Sequence, residues 1–331
     1  PLLLAQLEKE WPAASRSFSD WELLGRLYDE RGDAGSATAA FRAALRKEPH
    51  SNDIRRRLIA ILERSGVTAE VLREYEQLIA QAPGDSRAYL ELAERLDKTG
   101  QRPQALGWLR RAAARFAGDP SLHSALADIY QRWGEAELAL TEAELLVRID
   151  PKDESYVVNL GEMYWARGRK EKADEIWRRL LNLSPSKTLG QARLADVYAE
   201  LNLMPQAMEL YQKAVRAEPN NLQLRRGLAL CSERLNRPSD AVRHWEQIYF
   251  AARTPAERPL RMESRQHLGK LIRRETRLMP SLYSWQRRLQ AQLGGLANEK
   301  LETADLVALG LLVADLDLQL GRAAESEAVL V

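Results

Sequence analysis

The chain has 331 residues, 45% of them hydrophobic and 29% charged, and its 49 Lys+Arg against 47 Asp+Glu leave a net charge of +2. No apolar run approaches the roughly 20 residues that a membrane-spanning helix requires. The single cysteine, Cys231, excludes an internal disulfide. Residues 1–17 begin the chain with Leu2 to Trp11, whose apolar spacing predicts the second helix of a repeat with its first helix missing. Because the chain starts with Pro1 rather than Met, the expectation is a piece of a longer array.

From residue 18 onward a period of 34 residues sets the organisation. Pro49 and Pro83 lie at that interval, as do Pro151, Pro185 and Pro219. In the first copy, 18–51, the recurring residues are Trp21, Leu24, Gly25, Tyr28, Gly32, Ala37, Phe41, Ala44 and Pro49. Copies at 52–85, 86–119, 120–153, 154–187, 188–221 and 222–255 follow in register. In 154–187 the same places hold Leu160, Gly161, Tyr164, Gly168, Ala173, Trp177, Leu180 and Pro185. In 188–221 they hold Leu194, Ala195, Tyr198, Ala207, Tyr211, Ala214 and Pro219. Each copy places apolar residues at helical spacing, breaks them near its middle with Gly, Asn or polar residues, and is read as closing with Pro. The pattern predicts helix, turn, helix, stop. Small residues at the eighth place (Gly25, Ala93, Ala127, Gly161, Ala195, Ala229) let two helices approach, while an aromatic at the twenty-fourth fills the gap between hairpins.

These residues resemble the tetratricopeptide repeat (TPR) family. The resemblance implies an all-α fold, a right-handed superhelical solenoid of antiparallel helix pairs in which each repeat is stabilised by its neighbours. The unbroken period favours one elongated domain. Past Pro255 the register slips by six residues, and 256–261 reads as a longer turn. A degenerate repeat is expected near 262–295 within 256–306, keeping Leu268, Gly269, Ile272 and Trp285. A truncated one follows over 307–331.

The carboxylates Glu94, Asp128, Glu162 and Asp196 recur at the ninth place of successive first helices, and Asp29, Glu63, Asp97 and Glu233 occupy the twelfth. In TPR proteins both places face the concave groove, so the resemblance implies an acidic groove that prefers a basic peptide, an Arg- or Lys-bearing helix or a cationic polymer. The alternative is that neighbouring arginines such as Arg95, Arg132 and Arg167 neutralise them. Trp165, at the twelfth place of its copy, is a candidate anchor for a ligand side chain or a sugar. Trp177, Trp245 and Trp285 read as core, Trp133 as packing beside the turn. Residues 222–295 hold 15 Lys+Arg against 6 Asp+Glu. Arg225, Arg226, Arg265, Lys270, Arg273, Arg274 and Arg277 are the candidate basic flank, either a surface for an anionic partner or a solvated helix face. No nucleic-acid motif accompanies it.

The four histidines (His50, His123, His244, His267) show no metal-ligand spacing, and no phosphate loop, nucleophile elbow or Cys/His cluster appears. Cys231 reads as a packing residue. No cofactor and no catalytic residue is expected. The Lys and Asn pair with which some TPR domains hold chaperone tails is absent at the fifth and ninth places, which hold Val158/Glu162 and Arg226/Leu230 among others. Three functions remain open. The first is a protein-docking scaffold, whose Ala/Leu/Arg-rich repeats resemble the periplasmic TPR scaffolds of bacterial exopolysaccharide export, with a cationic polysaccharide as a further partner. The second is a cytoplasmic adaptor for a signalling protein such as a small GTPase. The third is a targeting module attached to an enzyme.

Overall fold

The computed structural model describes residues 12–274 and the isolated positions 287, 290, 291, 310, 313 and 314. The chain divides into two compact units, Pro1–Asp150 and Pro151–Val331. The first unit contains α1 (Phe18–Glu30), α2 (Ala34–Lys47), α3 (Asn52–Arg64), α4 (Thr68–Gln81), α5 (Ser86–Lys98), α6 (Arg102–Arg115), α7 (Pro120–Arg132) and α8 (Ala136–Ile149). The second contains α9 (Glu154–Ala166), α10 (Lys170–Trp177), α11 (Leu180–Leu183), α12 (Lys187–Glu200), α13 (Met204–Ala217), α14 (Leu222–Arg234), α15 (Pro238–Ala251) and α16 (Arg258–Arg274). Within each unit consecutive helices pack as hairpins, and each hairpin packs on the next.

The reversal inside every hairpin rests on one left-handed residue at the fifteenth place of its copy. Gly32, Gly66, Gly100, Gly134 and Gly168 have φ between +72° and +80°, and Asn202 and Asn236 take φ of +60° and +53°. A side chain costs roughly 1–2 kcal/mol in that region, with Asn the best tolerated. The next residue closes the turn by donating its N–H five residues back, as Asp33 does to the Tyr28 carbonyl at 2.9 Å, Gln101 to Leu96 at 2.9 Å and Leu203 to Tyr198 at 2.7 Å. This is the Schellman arrangement, which satisfies otherwise orphaned carbonyls. The first helix of most copies starts with a side-chain cap: Ser17, Asp85, Asp119, Asp153, Ser186 and Asn221 each accept a backbone N–H of the first turn.

Hairpin packing follows the alternation of small and aromatic residues. A Cβ on Gly25 would sit 2.6 Å from the Phe41 ring, and one on Gly161 would overlap the Trp177 indole. Phe41, Trp177 and Trp245 are fully buried, in agreement with the core role expected for the two tryptophans; Trp285 lies outside the described residues. The Trp177 Nε1–H donates to the Val158 carbonyl at 3.1 Å, so its polar edge is satisfied.

Two local departures from the expected pattern occur in the second unit. The second helix of 154–187 is not continuous: α10 stops at Trp177 and α11 resumes at Leu180, with short-range bonds from Arg179 N–H to the Ile176 carbonyl (3.1 Å) and from Leu181 N–H to Arg178 (3.2 Å). There the α11 backbone lies against α12, where a Cβ on Gly190 would come within 2.7 Å of the Leu180 carbonyl oxygen. The stretch 256–261 is not a longer turn either. A single turn at Pro255–Glu257, closed by reciprocal Thr254 and Glu257 bonds, runs straight into α16. Pro259 fits because the first helical turn needs no N–H from it. The expected repeats before residue 12 and beyond residue 274 lie outside the described residues, apart from those isolated positions.

Replacing Gly161 by Ala should lower stability by about 1–3 kcal/mol through collision with Trp177. Asn202→Gly should raise it by under about 1 kcal/mol by relieving the left-handed strain. Urea midpoints of the two variants, moving in opposite directions from the parent, are the check.

Candidate partner-docking site

In the first unit the groove carboxylates are tied to arginines of the same or the next hairpin. Asp29 pairs with Arg64, Glu63 with Arg95 at 2.5 Å, Asp97 with Arg102 at 2.5 Å and Glu94 with Arg132 at 2.8 Å. These pairs join one first helix to the following one or to its own hairpin, so the negative charge there is largely spent between repeats. Asp128 on α7 is exposed and has no ion pair among the described residues.

The second unit is wired differently. Glu162 on α9 is exposed, and its carboxyl is held above the ordinary value, by partial desolvation first and then by the like charge of Glu200 on α12. Asp196 accepts the Tyr211 hydroxyl. Desolvation and that carboxylate push the Tyr211 phenol upward. Beside Asp196 a groove opens between α12 and α14, with a volume of 660 Å³. Leu189, Arg193, Asp196 and Glu200 line one wall, and Arg226, Leu230 and Arg234 the other. Leu189 is 39% exposed at its rim. Cys231 is buried in the floor, where desolvation pushes its thiol up to about 11, as suits a packing residue.

Trp165 does not share this groove. It is half-buried in a separate cleft of 480 Å³ formed with α10, α12 and α13, next to Lys170, Glu171, Asp174, Leu181, Gln206 and Leu210. Its ring tilts against Trp177 at 5.8 Å and carries the Lys170 ammonium at 5.1 Å. It thus contributes to packing as well as to a cleft wall.

The basic flank is only partly free. Arg226 donates two bonds to Glu263 at 2.7 and 2.9 Å through Nε and a third at 2.7 Å through Nη2, and Arg225 donates to the Pro219 carbonyl at 2.6 Å. Arg265 is half-buried and Lys270 exposed on α16. Arg273 and Arg274 close α16, and Arg277 lies outside the described residues. Glu233, at the twelfth place of its copy, accepts from Trp245 Nε1 and lies 2.7 Å from His267 Nδ1, whose ring stacks on Trp245 at 4.5 Å.

Sequence reading missed a pairing between the fourth and twenty-third places of three hairpins. Arg55 meets Glu74 at 2.5 Å, His123 meets Glu142 at 2.6 Å, and Tyr89 packs edge-on against Trp108 at 6.0 Å. Arg55 and His123 are 6% and 1% exposed. The signal was a polar residue recurring on an apolar face 19 residues before a complementary one. Among the described residues no group of three or more His, Cys, Asp or Glu is placed to hold a metal, and no described helix is long and apolar enough to cross a membrane.

Stacked helix hairpins with grooves along their first helices define a helical-repeat protein of the tetratricopeptide class. Tetratricopeptide repeat models match residues 2–150, 155–187 and 192–256, and the chain belongs to that family, whose members mediate protein–protein interactions. Similar solved structures include a MamA fragment from Desulfovibrio magneticus RS-1, at 18% identity and a TM-score of 0.34, covering 50% of this chain and 94% of that one. Another is YrrB, described as a TPR protein with an unusual peptide-binding site, at 17% identity and 0.35, covering 56% and 95%. A third is the C-terminal part of a TPR protein from Cytophaga hutchinsonii, at 18% identity and 0.42, covering 76% and 99%. No curated protein matches the chain.

Removing the partner of the buried guanidinium, Glu74→Ala, should cost about 3 kcal/mol, whereas Arg132→Ala, at a pair whose arginine side chain is 61% exposed, should cost under about 1 kcal/mol. Thermal unfolding of the two variants separates them. A second expectation concerns pH. The folded chain holds the Glu162 proton more tightly than the unfolded chain does, so this group's contribution to stability is present at low pH and lost as pH rises through its raised value. Glu162→Gln should therefore raise the melting temperature at neutral pH and leave it unchanged at acid pH.

Proposed function

We propose that the chain is a non-catalytic scaffold that docks protein partners, with the groove between α12 and α14 as the principal docking surface. The observation that carries this reading is the groove itself: 660 Å³ of open space, an exposed leucine at its rim, and polar side chains spaced along both walls. An apolar centre with a charged rim is the anatomy of a protein interface. Placing a photo-crosslinking amino acid at Leu189, and as control at exposed Arg216 on α13, tests it in cells. Discrete adducts from position 189 and none from 216 are expected; adducts from neither position would remove the groove from consideration.

A finer placement, in a periplasmic assembly for exopolysaccharide export, rests on the resemblance of the repeats and on one local feature, the half-buried Trp165 beside Gln206, Glu171 and Glu209 in its own cleft. An aromatic face rimmed by hydrogen-bonding groups suits a sugar ring. Titration with a cationic amino-sugar oligosaccharide should then show saturable binding that weakens with salt and disappears in Trp165→Ala. Absence of saturable binding would leave protein docking as the whole of the function.

A further inference from the structure

We infer that the solvent-facing side of α16 is a second docking surface, one that takes an acidic segment of a protein partner. It shares no lining residue with the α12/α14 groove. The helix carries six basic residues against the single carboxylate of Glu263, and its rows at four-residue spacing have different tasks. Leu260, Ser264 and Leu268 form the buried row. Glu263 and His267 form the row that ties α16 to α14, through Arg226 and Glu233. Met262, Gln266 and Lys270 are exposed, and Arg261 and Arg265 lie half-buried beside them. From residue 261 to 270 the outward rows thus hold three cations and no carboxylate.

Among the described residues no carboxylate of the scaffold pairs with these three cations. Glu263 is held by Arg226 through three bonds of 2.7–2.9 Å. Glu257, in the turn before α16, accepts the Arg253 and Thr254 N–H groups at 3.1 Å and the Thr254 hydroxyl at 2.8 Å. On α15, Asp240 pairs with Arg243 at 3.4 Å, and Glu246 is only 8% exposed. On α14, Glu233 is engaged by His267 and Trp245. Arg265 and Lys270 have no ion pair among the described residues. Arg261 lays its guanidinium over the Tyr249 ring at 4.9 Å, a neutral partner that orients the group and leaves its charge in place. The face is therefore positive after every neighbouring carboxylate has been accounted for, and an incoming carboxylate supplies the counter-charge.

Spacing and chemistry narrow the class of partner. Arg261 and Arg265 stand about one turn apart, and Lys270 lies about 7.5 Å further along the axis. Carboxylates two residues apart on an extended segment are separated by about 7 Å, so successive acidic side chains meet Arg265 and Lys270 in turn. A guanidinium donates two parallel bonds to a carboxylate, which fixes orientation as well as charge. Met262, 37% exposed, offers an apolar contact to a side chain between them. A single-stranded nucleic acid would need an open aromatic face for its bases, and Tyr249 is 3% exposed with Arg261 over its ring. An anionic membrane would need a broader apolar face than Met262 provides.

The test uses the full 331-residue chain and a short fluorescein-labelled peptide of glutamate, serine and leucine, read by anisotropy. It is compared with the same peptide carrying glutamine for every glutamate, with a single-stranded oligonucleotide, and with sedimentation on vesicles containing phosphatidylserine. The variants are Arg265→Gln/Lys270→Gln and, as a control on α13, Arg216→Gln; circular dichroism confirms folding. Expected is binding of the glutamate peptide alone, weakening as salt rises, about tenfold weaker in the double variant and unchanged in Arg216→Gln. Carbodiimide coupling on the parent chain gives a local readout. The amine of Lys270 attacks the activated peptide carboxylate, an amide forms and the urea leaves, so mass spectrometry should find the peptide on Lys270. Absence of glutamate-peptide binding, or adducts that spare Lys270, would overturn the surface. Equal binding of the glutamine peptide would overturn the charge selection, and equal weakening by Arg216→Gln would replace the local site with a field over the whole chain. Tighter binding of the oligonucleotide or the vesicles would overturn the choice of partner. Crosslinking at Leu189 reads the groove alone, so the two surfaces stand or fall separately.

Discussion

The left-handed residue at each hairpin reversal is the constraint on which the remaining architecture depends. By placing one residue at positive φ at the fifteenth place, the chain stops each first helix at a fixed length and returns the second at a fixed angle. Every later contact inherits that register. The eighth place then meets the twenty-fourth, so Gly25 receives Phe41 and Gly161 receives Trp177. The fourth meets the twenty-third, so a buried Arg55 or His123 finds a carboxylate. A one-residue error at the turn would rotate the second helix by about 100° and misplace all of these pairs together.

Once the register is fixed, electrostatics is where the copies differ from one another. A repeat fold places equivalent side chains at equivalent points, so a charge at the ninth place and a charge at the thirteenth place of the next copy are neighbours regardless of which copies are involved. Glu94 with Arg132 makes that neighbourhood a link between hairpins. Glu162 with Glu200 places two like charges there, and the Glu162 carboxyl is raised by desolvation first and by Glu200 second. Exposed pairs of this kind contribute little to stability in either sense, which is why a fold can tolerate the inversion.

The order of helix, turn and helix, the place of each turn and the burial of Trp177 and Trp245 were legible in the sequence, because period, Gly or Asn at the turn and apolar spacing each act locally. Pairings between helices were not. Which arginine answers which carboxylate depends on rotamers and on how hairpins stack, so Glu63 could be named while its partner Arg95 could only be offered as one neighbour among several. Trp165 shows the same limit. Its place in the repeat was right, but its surroundings belong to the second helices of two copies, where the α10/α11 break and the close approach at Gly190 shape the cleft. The polar fourth place was visible and unread, since a single His or Arg on an apolar face carries no signal until its counterpart 19 residues on is known to face it.

The irregularities therefore point to function better than the repeat does. A perfect period would make every groove segment alike, and a partner would have no preferred register along it. Here the departures fall in residues 168–236: Asn in place of Gly at the turns of 202 and 236, a second helix interrupted at Arg178–Arg179, and Gly190 against the α11 backbone. Neighbouring-repeat stacking supplies the stability that absorbs them. With the scaffold held by its many regular contacts, a few substitutions on one helix face are enough to give that segment its own shape and charge.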